Sequence, residues 1–165
     1  MKKVLLSITA LFLSVCCMAQ AQLAFPFQGG QTVMDQFFKE NLVASADVIQ
    51  QKATGLVLFK FTADLKGKIT KMIVYYADDA LLAEPVIEAL KKSNRKWIIP
   101  DYEKSHDFII PVSFNLNAPK TDSLDISKPF FNTYRNRKPI FSTNQVPLDR
   151  ATLLPAVMVY YDVSQ

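Results

Sequence analysis

Hydrophobic residues recur along this chain at intervals that change from segment to segment, and each interval predicts an element. Across residues 31–46 the apolar positions Val33, Met34, Phe37, Phe38, Leu42 and Val43 return every three to five residues. That is the period of a helix with one face packed inward. Ahead of it, Phe25, Pro26, Phe27, Gln28, Gly29 and Gly30 join aromatics to a proline and a glycine pair, which reads as a turn. The period then changes. Residues 55–64 are dense in β-branched and aromatic side chains, as are residues 69–77, and Leu65, Lys66, Gly67 and Lys68 form a polar turn between them. The pair predicts a β-hairpin. Helical spacing returns over residues 80–93, where Leu81, Leu82, Val86, Ile87 and Leu90 make an apolar stripe and Glu84, Glu88, Lys91 and Lys92 a polar one. Asp78 and Asp79 stand where a carboxylate can take up the free amides of the first turn, and Pro85 falls near that turn, where a missing amide hydrogen costs least. A charged loop at 101–107 precedes a third strand over 108–116. Its Pro111 points to a sheet edge or a bulge. Residues 118–165 hold several prolines and no helical period, and only 156–161 are apolar enough for a fourth strand.

The start of the chain belongs to another category. Lys2 and Lys3 lead into an uncharged apolar run over 4–15, followed by Ala19, Gln20 and Ala21. This is the layout of a secretory signal peptide, too short for the roughly 20 residues of a membrane-spanning helix, with cleavage expected after Ala21. Cys16 and Cys17 both lie inside the leader, so the mature chain has no cysteine and must be held by its core. Val15 stands where an acylated Cys16 would want a small residue before it, which argues against lipid anchoring. The 165 residues less these 21 leave 144, enough for one domain with a core of its own. The 19 basic residues less the two leader lysines leave 17 against 15 acidic ones, a net charge of +2. So small an excess does not commit the protein to nucleic acid. The expected division is a leader at 1–21, a domain at 22–117 and an extension at 118–165.

The chemistry-bearing residues are few. Trp97 follows an amphipathic helix and reads as a core plug with its indole NH paired. His106, the single histidine, lies in the charged loop and is expected to face solvent. Asp78 and Asp79 lack a third ligand nearby and read as helix caps rather than a metal or acid–base pair. The basic groups Lys91, Lys92, Arg95 and Lys96, and Arg135, Arg137 and Lys138 beside Tyr134, read as structural cations. No nucleophile elbow, phosphate loop or zinc spacing is present, so the sequence predicts a non-enzyme with no cofactor and no metal.

Several local words, in order, resemble the C-terminal domain family of TonB-type energy transducers. Phe27, Gln28, Gly29 and Gly30 with Met34, Phe37, Phe38, Asn41 and Leu42 are similar to its glycine turn and first helix. Residues 55–61 resemble its first strand, and Gly67, Lys68 and Ile69 its hairpin. Leu82, Glu84, Val86, Ile87 and Leu90 are similar to its second helix, Lys96, Trp97 and Pro100 to its Lys-Trp-x-Pro, and residues 110–114 to its last strand. The chain departs from that pattern at Leu65 and Lys66, at the shorter loop ending in Pro100 and Asp101, and over residues 118–165. The resemblance implies an α+β fold with two helices on a small antiparallel sheet, and the apolar run at 156–161 in the extension offers one further strand to it. It also implies a periplasmic or secreted module that binds an extended segment of an envelope protein or outer-membrane receptor by strand addition, without the Pro-rich spacer of a transducer. An edge strand suits that task, because its free amides and carbonyls pair with any extended chain. The candidate edge carries Phe108, Ile110, Val112, Phe114 and Leu116. The alternative is a structural or self-associating protein whose segment 157–161 covers that edge, within one chain or in a homo-oligomer.

Overall fold

The structure is a computed structural model and describes residues 25–117, 134–143, 148 and 150–162. The leader expected at 1–21, both cysteines and residues 118–133 lie outside that range.

Helix α1 (Gly30–Asn41) is shorter than the periodicity predicts. Leu42 and Val43 continue the helical spacing, but the Asn41 side chain donates to the Phe37 carbonyl at 2.9 Å and Leu42 is already extended. Leu42 is buried and Val43 is exposed. A short helix, α2 (Ala46–Gln50), follows with Ser45 as its N-cap, accepting from the Val48 amide. The hairpin strands β1 (Gly55–Asp64) and β2 (Ile69–Ala77) pair antiparallel over their length. Their turn is tied by Asp64, whose carboxylate accepts the amides of Lys66 and Lys68, both at 2.9 Å. Gly67 in this turn has φ 67°, and a Cβ there would lie 2.4 Å from the Trp97 carbonyl oxygen. Only glycine permits that approach.

The two predicted caps divide their work. Asp79 accepts the Leu81 amide and starts a 3-10 turn (Ala80–Leu82) that runs into α3 (Ala83–Lys92). Asp78 instead accepts the Leu56 amide at 2.6 Å and the Tyr76 hydroxyl, joining the start of β1 to the end of β2. The backbone of Gly55 lies against that carboxylate, with a virtual Cβ 2.5 Å from its oxygen. Strand β3 (Ser105–Leu116) begins three residues before the expected point, so His106 and Asp107 belong to a strand rather than a loop. It pairs antiparallel with β1 from Gly55 opposite Phe114 to Asp64 opposite Ser105.

Among the described residues the extension adds three strands where one was expected: β4 (Ile140–Phe141), β5 (Thr152–Leu153) and β6 (Val157–Tyr161). The sheet runs β4-β2-β1-β3-β5, with β6 also on β3. β4 is antiparallel to β2, whereas β5 and β6 are parallel to β3. The architecture is α+β, and the expected antiparallel sheet is corrected to a mixed six-stranded one. A parallel neighbour needs a long crossover, which the extension is long enough to supply.

One face of the sheet carries the core. Val57, Phe59 and Phe61 of β1 alternate inward beside Val112, Ile110 and Phe108 of β3. Met34 and Phe38 of α1, Val48 of α2 and Val86 and Leu90 of α3 close over them. Trp97 is the plug that the sequence predicts. Its ring lies 4.5 Å from that of Phe61 and 5.1 Å from that of Phe27, and its indole NH donates to the Ser93 hydroxyl at 3.0 Å.

Candidate functional site: the outer edge of β3

The five residues expected to present a binding edge stand together on β3, and all five face the core side. Phe108, Ile110, Val112 and Phe114 are fully buried, and Leu116 is partly buried against the same cluster. β3 is an interior strand, which corrects the expectation of an open edge. β5 pairs with Phe108 and Ile109, and β6 pairs with Val112 through Leu116. Pro111, with no amide hydrogen to give, falls at the break between these two ladders. The chain crosses that break through Leu154, whose amide donates to the Ile109 carbonyl at 2.8 Å.

The residues of β6 extend the rows of the core. Val157 is opposite Val112, itself opposite Val57, and Val159 is opposite Phe114. Val157, Val159 and Tyr161 are buried while Met158 and Tyr160 between them are exposed, the two-residue period of a half-covered strand. Leu154 is buried as well. The Tyr161 hydroxyl donates to the Ala53 carbonyl at 2.6 Å, in the loop between α2 and β1. Burial pushes its pKa up to about 12. At the end of the ladder the Asn117 amide donates to the Tyr161 carbonyl and the Asn117 side chain to Asp162, at 3.0 and 2.9 Å.

A polar clasp stands at the other end. His106 sits between the Glu103 carboxylate (2.6 Å from Nδ1) and the Thr152 hydroxyl of β5 (2.7 Å from Nε2), with its ring edge-on to Phe108. The expectation of a solvent-facing histidine is corrected: its side chain is 10% exposed. Hydroxyl, imidazole and carboxylate in that order are the parts of an activated nucleophile. Here Thr152 lies in the ladder on β3, and the three groups tie β5 down. Asp107, next along β3, accepts from Lys60 at 2.8 Å and from the Thr62 hydroxyl at 2.6 Å. Burial raises its carboxyl pKa, and the hydrogen bonds from Lys60 and Thr62 outweigh that and hold it below the usual carboxylate range.

The free side of β6 borders a groove of about 530 Å³, floored by Phe38, Leu42 and Val159 and edged by Asp35 and Lys39 of α1. The Arg137 guanidinium stacks on Tyr134 at 4.4 Å and donates to the Thr54 carbonyl at 2.7 Å, which gives this one member of the second basic group a structural role. In the first basic group Lys91 pairs with Glu88 at 2.7 Å and Lys96 lies over the Phe37 ring. Among the described residues no three His, Cys, Asp or Glu side chains group to hold a metal ion, and no helix is long and apolar enough to cross a membrane.

The apolar run over 156–161 was the signal for β6, and the alternative in which that segment covers the edge of the third strand is the arrangement found, while nothing in the sequence named Ala53 as the acceptor for its phenol. No protein-family model, curated protein or solved structure matches this chain.

Proposed function

We propose that the protein is a non-enzymatic interaction module of the cell envelope that accepts an extended segment as a strand on β3, with its own C-terminal strands as the resident occupant. The observation that carries the reading is the ladder of β6 on β3, with Val157, Val159 and Tyr161 seated in the core. An added strand gains affinity from main-chain pairing and selectivity from alternate side chains, and β6 uses both. The resemblance of residues 25–117 to the TonB-type domain supports the same mode of binding, as does the leader for an envelope location. Partners are then envelope proteins or outer-membrane receptors with an extended segment able to replace β6.

The test is capture from envelope extract by the full chain and by its Val159→Asp variant, in which β6 is weakened. Partners should be recovered on the variant and should restore amide protection at residues 112–116. Recovery without restored protection at β3 would sink the proposal.

A second reading has its own support. β4 lies on β2 while β5 and β6 lie on β3, so the extension reaches both edges of the three-stranded sheet. That arrangement suits a structural protein whose tail covers its edges permanently. It predicts that neither form captures anything but itself.

A further inference from the structure

The resident strand also shows what kind of segment this edge selects. We infer that β3 takes a parallel segment with leucine, valine, valine and tyrosine at the spacing of Leu154, Val157, Val159 and Tyr161, the tyrosine being read through its hydroxyl by the Ala53 carbonyl. This rests on the proposal above that β3 is a strand-accepting edge.

Three observations support the selection. Direction comes first: the pairs run Val112 with Val157 through Leu116 with Tyr161, so the occupant runs with β3 and not against it. Position comes second. The four residues named are between 2% and 9% exposed, while Met158 is 51% and Tyr160 61% exposed. Selection therefore falls on the inward set, and the alternate positions tolerate change.

The third concerns the phenol. Ala53 is 2% exposed, and its carbonyl receives the Tyr161 hydroxyl at 2.6 Å. The loop that presents this carbonyl turns through Lys52 at φ 52°, a conformation few side chains adopt, and is held by the Ala53 amide on the Val48 carbonyl at 2.9 Å. A fixed, buried acceptor discriminates by what it loses. A phenylalanine there fills the same space and leaves the buried carbonyl without its donor, which costs the binding energy of that hydrogen bond.

The test uses full chains and labelled peptides. A peptide of residues 150–162 is titrated onto the Val159→Asp chain and the unaltered chain. It should bind the variant saturably and the unaltered chain at least tenfold more weakly, because the edge there is filled. The same peptide with Tyr161→Phe should bind the variant roughly five- to tenfold more weakly, the worth of one buried hydrogen bond. A peptide of reversed order should not compete. If all three bind equally and protect residues 112–116, the selectivity is wrong and strand acceptance stands. If none binds a variant whose β1–β2 amides remain protected, both fail. Should Val159→Asp prevent folding, the full-length Tyr161→Phe chain replaces it. That chain should take up the unaltered peptide more readily than the unaltered chain does, and equal uptake overturns the inference.

Discussion

The two edges of the three-stranded sheet are covered by the same extension in different ways. On β3 the cover is seven residue pairs long, and Leu154, Val157, Val159 and Tyr161 place side chains in the core. On β2 it is two pairs long. Ile140 is half-buried there, and Phe141 is 63% exposed, resting its ring on Tyr76 at 5.4 Å. Both covers satisfy main-chain groups, but only one removes much apolar surface from water. Fully burying a valine is worth about 1.5–3 kcal/mol, whereas an exchange of main-chain hydrogen bonds with water is worth about 1 kcal/mol per bond. Side chains therefore hold the β3 cover in place, while the β2 cover is a lighter, local seal.

The largest expected effect breaks the heavier cover. Val159→Asp replaces a buried valine opposite Phe114 and near Phe38 by a carboxylate, which should cost several kcal/mol, about 3 or more. Hydrogen exchange should show protection lost at residues 112–116 first, ahead of β1 and β2. Loss across the whole sheet at once would mean that β6 belongs to the core itself and covers nothing separable.

Tyr161→Phe should cost about 1 kcal/mol or slightly more, read as a shift in the midpoint of denaturant unfolding. The same residue sets an alkaline limit. A folded-state pKa raised to about 12, above the ordinary tyrosine value of about 10, means that its stabilisation is complete below pH of about 10 and disappears as pH climbs through about 12. The Tyr161→Phe chain should lack that alkaline loss. If both chains respond alike, the phenol is not buried in solution.

Phe141→Ala sharpens the comparison from the lighter side. Losing one exposed aromatic contact should cost about 0.5–1 kcal/mol and leave exchange at β3 untouched. A cost equal to that of Val159→Asp would remove the asymmetry. The smallest effect is expected in acid. Because the Asp107 pKa is lowered, the stabilisation from its bonds to Lys60 and Thr62 is present above the usual carboxylate range and is lost as pH falls below it. Asp107→Asn should flatten the acid side of the stability profile, measured by thermal unfolding.

What the sequence made legible follows the range of the forces involved. The hairpin was readable to the residue at β2, because the β-branched runs, Gly67 and Asp64 act within a few positions of one another. Trp97 was readable as a plug because a lone tryptophan after an amphipathic stripe has apolar neighbours by construction. The end of α1 was not, since Leu42 keeps the helical period and is buried in an extended conformation instead. His106 was misread because its burial depends on Thr152, 46 residues further along. The two-residue strands β4 and β5 carry too few side chains to show a period. The five edge residues were rightly assigned to one strand, and the alternative of 157–161 as its cover matches β6, but the parallel direction of that cover and the second strand β5 beside it were not readable.

The parallel pairing of β6 with β3 sets an order of events during synthesis. Val112 meets Val157, 45 residues behind it, so β3 is complete well before its cover exists. A chain made N-terminus first can close the hairpin and dock α3 early, and must then wait with the main-chain groups of β3 bare on one side. At about 5–20 residues per second that wait lasts a few seconds, long compared with the microseconds in which hairpins form. During those seconds, chaperones and neighbouring nascent chains meet an exposed edge that the finished molecule no longer shows.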